Sequence, residues 1–177
     1  MKSPRRIVTL SGSIRSGSSN SALLRAARTL SPKGTELVHY EGMAELPLYT
    51  PDLDIEPAPV SVQAFRALLK SASAVLISCP VYAHGVPGAF KNALDWVVSS
   101  GEFVEMPVAL IVTSSSGGTY VETQLVQTLT VMTAKVVVTG AMLSPLVRKA
   151  VSPDGKIVDS LIASEMSRVI ATLGAAL

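Results

Sequence analysis

With 177 residues, 48% of them hydrophobic, the chain has the size and apolar content of one globular domain spanning residues 1–177, and it is too apolar to be disordered. Fifteen basic and 13 acidic side chains leave a scattered formal charge of +2, which excludes the concentrated basic face of a nucleic-acid binder. A single cysteine, Cys79, excludes an internal disulfide, no Cys/His cluster has metal-ligand spacing, and the usage fits a reducing, cytoplasmic compartment.

The first apolar run, Ile7 to Leu10, is too short for the core of an export signal or for a membrane span, so a protein neither exported nor anchored is expected. It reads as the first strand. Asn20 to Leu30 follows as a helix with Leu23, Leu24, Ala27 and Leu30 on one face, and Glu36 to Tyr40 as a second strand. From Met43 to Pro59, prolines 47, 51, 57 and 59 interrupt any period, which predicts a loop with a fragment of helix at most. Val62, Phe65, Leu68 and Leu69 mark a helix over Ser61 to Ser71.

Ala74 to Cys79 is apolar without alternation, as a central strand covered on both faces requires. Pro87 to Val98 is the next helix, Val108 to Thr113 the fourth strand and Gly118 to Thr133 a helix. Lys135 to Thr139 with Met142 and Leu143 forms the fifth strand, and Asp159 to Leu173 closes the chain as a helix. Strict alternation without internal repeat predicts an α/β three-layer sandwich around a five-stranded parallel sheet of order 2-1-3-4-5, with ligands beyond the carboxyl ends of the strands.

Three loops therefore carry the interest. The first, Ser11 to Asn20, joins a strand to a helix and combines two glycines, four interior serines and Arg15. Exposed amides, hydroxyls, a helix N-terminus and one full charge suit a phosphate monoester. It lacks the Lys-Ser/Thr of a triphosphate loop and the Gly-x-Gly-x-x-Gly of a dinucleotide fold. An ordinary helix-capping turn is the bland alternative. After the third strand, Pro80 ends the run, Tyr82 offers a flat face, and Gly85 and Gly88 let backbone approach a planar ligand, although a plain strand-to-helix turn reads equally well. After the fourth strand, Ser114, Ser115, Ser116, Gly117 and Gly118 present hydroxyls and free amides where strand meets helix.

The pattern Gly-Ser-x-Arg-x-Gly-Ser-x-Asn from Gly12 to Asn20, followed by Pro-x-Tyr-x-x-x-x-Pro-Gly-x-x-Lys-Asn-x-x-Asp-Trp from Pro80 to Trp96, resembles the NADPH-dependent FMN reductase family, whose members include quinone, azo-dye and chromate reductases. The likeness covers nearly the whole chain and implies a flavodoxin-like fold, FMN as cofactor, and NADPH or NADH as electron donor. It implies that Ser13, Arg15, Ser18, Ser19 and Asn20 grip the FMN phosphate. Pro80, Val81, Tyr82, Ala83, His84 and Gly85 would line the isoalloxazine ring, and Ser114 to Gly118 would meet its other end. It further implies a homodimer or homotetramer, with the helix of Lys91, Asn92 and Asp95 near an interface, and a small-molecule acceptor: a flavin, a quinone, an azo compound or a metal oxyanion. Two departures stand out. His84 stands where many relatives carry a small or amide residue, and the loop after the fourth strand has Val121-Glu122-Thr123 in place of the family's later glycine-rich continuation and arginine.

The remaining residues read plainly. His84 is a candidate proton donor, since an unperturbed imidazole titrates near pH 6.5, but a pocket-lining role is the simpler one. His39 reads as a half-buried strand residue, Cys79 as a small buried hydrophobe, Trp96 and the methionines as core. No Ser-His-Asp order and no paired carboxylates mark a hydrolase, which fits an enzyme whose chemistry belongs to its cofactor. The competing readings are a non-catalytic FMN-binding electron carrier, disfavoured by the lack of net acidity, and a phosphate-ligand sensor, disfavoured by the Pro80–Tyr82 loop.

Overall fold

The computed structural model describes residues 5–115 and 117–177, with backbone alone at Leu143 and Ser144. Five β-branched and apolar runs form one parallel sheet of order β2-β1-β3-β4-β5, built from β1 (Arg5–Ser11), β2 (Thr35–His39), β3 (Ala74–Pro80), β4 (Pro107–Ser114) and β5 (Lys135–Leu143). The expected order is the one observed.

Period-two alternation along these strands feeds two separate cores. Val8, Leu10, Val75, Ile77, Leu110 and Val112 point to one face, where α2 (Val60–Lys70), α3 (Gly88–Asp95) and α4 (Thr119–Val131) pack with Phe65, Leu69, Phe90 and Leu125. Ile7, Ala74, Leu76, Ala109 and Ile111 point to the other, covered by α1 (Ser19–Ala26), α5 (Ser144–Lys149) and α6 (Ser160–Ala175) through Leu23, Leu24, Val147, Met166 and Ile170. Every residue of β3 is buried, which explains its unbroken apolar sequence. Withdrawing a side chain the size of Phe65 or Leu76 from water contributes about 1.5–3 kcal/mol.

The differences from the sequence reading have local causes. α1 gives way to a 3-10 turn at Ala27–Leu30 within the span expected as one helix. The proline-rich stretch carries two short 3-10 turns, Gly42–Glu45 and Pro51–Leu53. Pro87 lies just outside α3 at its N-cap, and the helix stops at Asp95, earlier than its apolar pattern. β5 runs unbroken through Gly140 and Ala141, with a bulge opposite Val108/Ala109. Sequence reading misses α5, because six residues give no helical period to count; Pro145 near its start is the one conventional signal.

In a parallel sheet all carboxyl ends point the same way. The loops after β1, β3 and β4 therefore meet at one edge, with α5 closing its flank.

Candidate functional site

The loop after β1 is held down before any ligand arrives. Gly12 donates its N–H to the Ser78 carbonyl (2.8 Å), and a Cβ there would come within 2.8 Å of Cys79 Sγ and 3.0 Å of Cys79 Cα, so only glycine lets the loop lie on the end of β3. Ser11 Oγ accepts from the N–H of Ser13, whose own hydroxyl accepts from the N–H of Arg15. Ser18 caps α1, its Oγ accepting from Ser21 N–H (3.3 Å). With Ser21 N–H and Ala22 N–H both taken by Ser18, the N–H groups of Ser19 and Asn20 are left to face outward.

Asn20 is nearly buried, and its carbonyl oxygen accepts from two hydroxyls, Ser78 Oγ on β3 (2.7 Å) and Thr113 Oγ1 on β4 (3.0 Å). Its NH₂ is thereby aimed away from the sheet and into the cavity as a fixed donor. Thr113 lines the cavity; Ser78 supports it from behind. Neither was readable as a site residue in the sequence, because each acts across more than 50 residues.

After β3 the chain turns sharply. Tyr82 and Gly85 exchange reciprocal backbone hydrogen bonds (3.1 and 2.8 Å), and the two residues between them, Ala83 (φ 48°) and His84 (φ 59°), both adopt the left-handed conformation. That is the geometry of a type I′ turn, which usually employs Asn-Gly; without glycine each such residue costs about 1–2 kcal/mol. The turn leaves the Ala83 and His84 amides outside its own bonding. Tyr82, 53% exposed, reaches back until its hydroxyl is 3.4 Å from Ser13 Oγ, and the His84 ring meets Tyr120 edge to face with centroids 5.1 Å apart.

Between these loops lies a cavity of about 570 Å³, within the usual range for a small-molecule site. Of the residues expected there, Ser13, Arg15, Ser18, Ser19 and Asn20 line one end, while Pro80, Val81, Tyr82, Ala83, His84, Ser114 and Ser115 line the rest. Gly85, Gly117 and Gly118 do not. The polar groups of Gly85 are spent within the turn, and it borders a separate hollow with Val86, Lys91 and Gln124. Gly118 is a packing glycine, since a Cβ would come within 2.3 Å of Val112 Cγ1. Ser116 falls outside the described residues. Pro145 and Arg148 of α5 line the cavity and were not foreseen.

The other singled-out residues are structural. Asn92 accepts from Tyr49 N–H and donates to the Pro47 carbonyl, which Trp96 Nε1 also reaches, so the α3 signature ties down the proline-rich loop; Asp95 pairs with Lys91. Burial pushes the Cys79 thiol up to about 12, leaving it a buried hydrophobe with no thiolate to react. His39 is half-buried, bonded to Thr9 Oγ1, and held below its ordinary pKa mainly by burial. No group of carboxylate, His and Cys side chains able to hold a metal occurs among the described residues, and no helix among them is long and apolar enough to cross a membrane.

Residues 5–147 match the family model described as NADPH-dependent FMN reductase. The chain belongs to that family. Its activity is accordingly FMN-dependent oxidoreduction driven by NAD(P)H. This reductase is 32% identical over 168 residues to a quinone reductase of Escherichia coli K12, covering 90% of this chain and 88% of that one. It is 35% identical over 108 residues to an NAD(P)H-dependent FMN reductase of Pseudomonas aeruginosa, 60% of this chain and 58% of the other. Among solved structures it is similar to FerB, a flavoenzyme NAD(P)H:(acceptor) oxidoreductase from Paracoccus denitrificans, with a TM-score of 0.77, 26% identity and 97% of each chain covered. It also shares its fold with an apo NADH:FMN oxidoreductase at a TM-score of 0.75 and 19% identity, covering 98% of this chain and 90% of the other.

FMN fits the donor set. One end of the cavity gathers amides, hydroxyls, the Asn20 NH₂ and Arg15, all donors, as a phosphate with three acceptor oxygens requires; the other end is walled by Pro80, Val81 and the Tyr82 ring.

Proposed function

We propose that the 570 Å³ cavity holds FMN and that the reductase passes two electrons from NAD(P)H to a quinone, NAD(P)H + H⁺ + quinone → NAD(P)⁺ + hydroquinone. Ser13, Arg15, Ser18, Ser19 and Asn20 bind the phosphate; Pro80 to His84 carry the ring on backbone and Tyr82; Ser114 and Ser115 meet its far edge. FMN held there would supply the hydride chemistry that links donor and acceptor.

The protein's part is placement and polarity. Ala83 and His84 line the cavity and their amides are unspent within the turn, so they are donors available to the ring, and preset donors stabilise negative charge at little cost in reorganisation. Arg15 and the α1 N-terminus neutralise the phosphate and set its register. The observation that carries the quinone reading is the mouth: Tyr82, 53% exposed, lines the cavity beside His84, whose ring meets the 66% exposed Tyr120 edge to face, so weakly polar rings border the space where a planar acceptor would enter. The name of the Escherichia coli relative points the same way.

Anaerobic rapid mixing of the FMN-loaded protein with NADPH and with NADH should bleach the flavin. Steady-state assays with a benzoquinone, an azo dye, chromate and free FMN should then give the highest kcat/KM for the quinone, with the parallel double-reciprocal lines of a ping-pong enzyme. A flavin that stays oxidised with both donors overturns the reductase; a preferred oxyanion or free flavin overturns the quinone.

A further inference from the structure

A second cavity of about 360 Å³ lies in the groove between the start of α1 and α5, and it shares Arg15, Ser18, Ser19 and Arg148 with the first. Its remaining walls include Ala22, Val147 and Val151, an apolar surface on which a flat base can lie.

Its charge is one-sided. Arg25, on the wall, is neutralised by Glu41 through paired bonds from Nε (2.8 Å) and Nη2. Asp154, beside the lining residues Ser152 and Pro153, is paired with Lys156 (2.9 Å). Arg148, by contrast, forms no ion pair with any described residue, and the Arg15 guanidinium donates to the carbonyl of Gly17 (2.7 Å) with no carboxylate partner among the described residues. Two uncompensated guanidiniums therefore stand where the cavities join, over an apolar pocket of nucleoside size. One phosphate, the cofactor's, employs Arg15. Arg148 faces both spaces and remains for a second.

We propose that this cavity receives the adenosine-phosphate end of a dinucleotide, with Arg148 gripping its phosphate and the base lying on Ala22, Val147 and Val151. The inference rests on the main cavity holding FMN. Two molecules carry that end: the nicotinamide donor, reaching across the cofactor, and FAD, whose adenylate would leave the main cavity past Ser18 and Ser19.

The probes are adenosine 5′-monophosphate and adenosine, titrated calorimetrically into apo and FMN-loaded protein, with FMN and FAD titrated into the apo protein by flavin fluorescence. Each is run on the wild type and on Arg148→Gln, an exposed position at which folding should be unaffected. The monophosphate should bind at least about tenfold more tightly than adenosine, the size expected for one charge-assisted contact, and Arg148→Gln should remove that advantage; because Arg148 also lines the main cavity, FMN should weaken too, but clearly less than the monophosphate. Monophosphate binding that survives FMN loading identifies the nicotinamide donor as the source. An FAD affinity above that for FMN, lost in Arg148→Gln, identifies FAD. A monophosphate that binds no better than adenosine overturns the proposal, and so does an Arg148→Gln variant that weakens FMN as much as it weakens the monophosphate. If the wild type binds no flavin, the cofactor reading fails, and the monophosphate titration of the apo chain still judges the second cavity by itself.

Discussion

The two ends of the main cavity are built by opposite means. At the end proposed to take the phosphate, side chains do the holding: Ser18 caps a helix, Ser11 and Ser13 bond their own loop, and Asn20 is locked by hydroxyls from two strands. At the mouth, a four-residue turn holds itself by two backbone bonds, tolerates two left-handed residues, and exposes its rings to solvent. The difference suits the ligand proposed for the cavity. A phosphate is a small, highly charged group of fixed shape, so preset donors are rewarded at every contact. Donor and acceptor must enter and leave the mouth in turn, so flat, adaptable walls serve better there than fixed bonds.

That contrast can be broken most sharply at Asn20. Replacing Asn20 by Ala strands two buried hydroxyls and removes a cavity donor, so we expect a loss of about 2–4 kcal/mol in urea unfolding and roughly a hundredfold weaker FMN binding by fluorescence titration. An unchanged FMN Kd would mean that the phosphate end does not depend on its preset donors. At the mouth the same kind of change should run the other way. Ala83→Gly or His84→Gly relieves a left-handed residue and should raise stability by up to about 1 kcal/mol, since glycine's extra freedom in the unfolded chain offsets part of the gain. His84→Gly should also raise the KM for quinone while leaving the FMN Kd within about twofold; loss of FMN with the ring would show that the turn is an anchor after all.

The smallest expected effect is one of pH. His39 adjoins the phosphate loop in a small hollow with Ser13 and Arg15, and its folded pKa lies below the ordinary value near 6.5 because burial disfavours its charged form. The unfolded chain therefore takes up the proton first. Stability should fall as pH drops below about 6.5 and level off once the folded imidazole is also protonated. Urea midpoints measured across that window should slope in the wild type and lose that slope in His39→Asn; identical slopes would remove His39 from the account.

Much of this site was legible in the chain. Apolar runs such as Ala74 to Cys79 fixed the strands because burial on both faces leaves no room for polar residues, and the Ser/Gly/Arg composition between Gly12 and Asn20 announced a donor-rich loop because such residues serve one anion well. The left-handed turn was hidden, since Ala83-His84 carries none of the usual turn chemistry and is held open by the Tyr82–Gly85 bonds. So were Ser78 and Thr113, which read as strand residues until the parallel register set both beside Asn20. Arg148 lay in a helix too short to have a period. Sequence by itself determined what repeats locally: strand, helix, the composition of a loop and its place after a strand. Only the tertiary structure decided which hydroxyl orients the Asn20 amide, why position 12 admits no Cβ, and that a guanidinium from α5 stands beside the phosphate loop, because these depend on contacts between segments far apart in the chain.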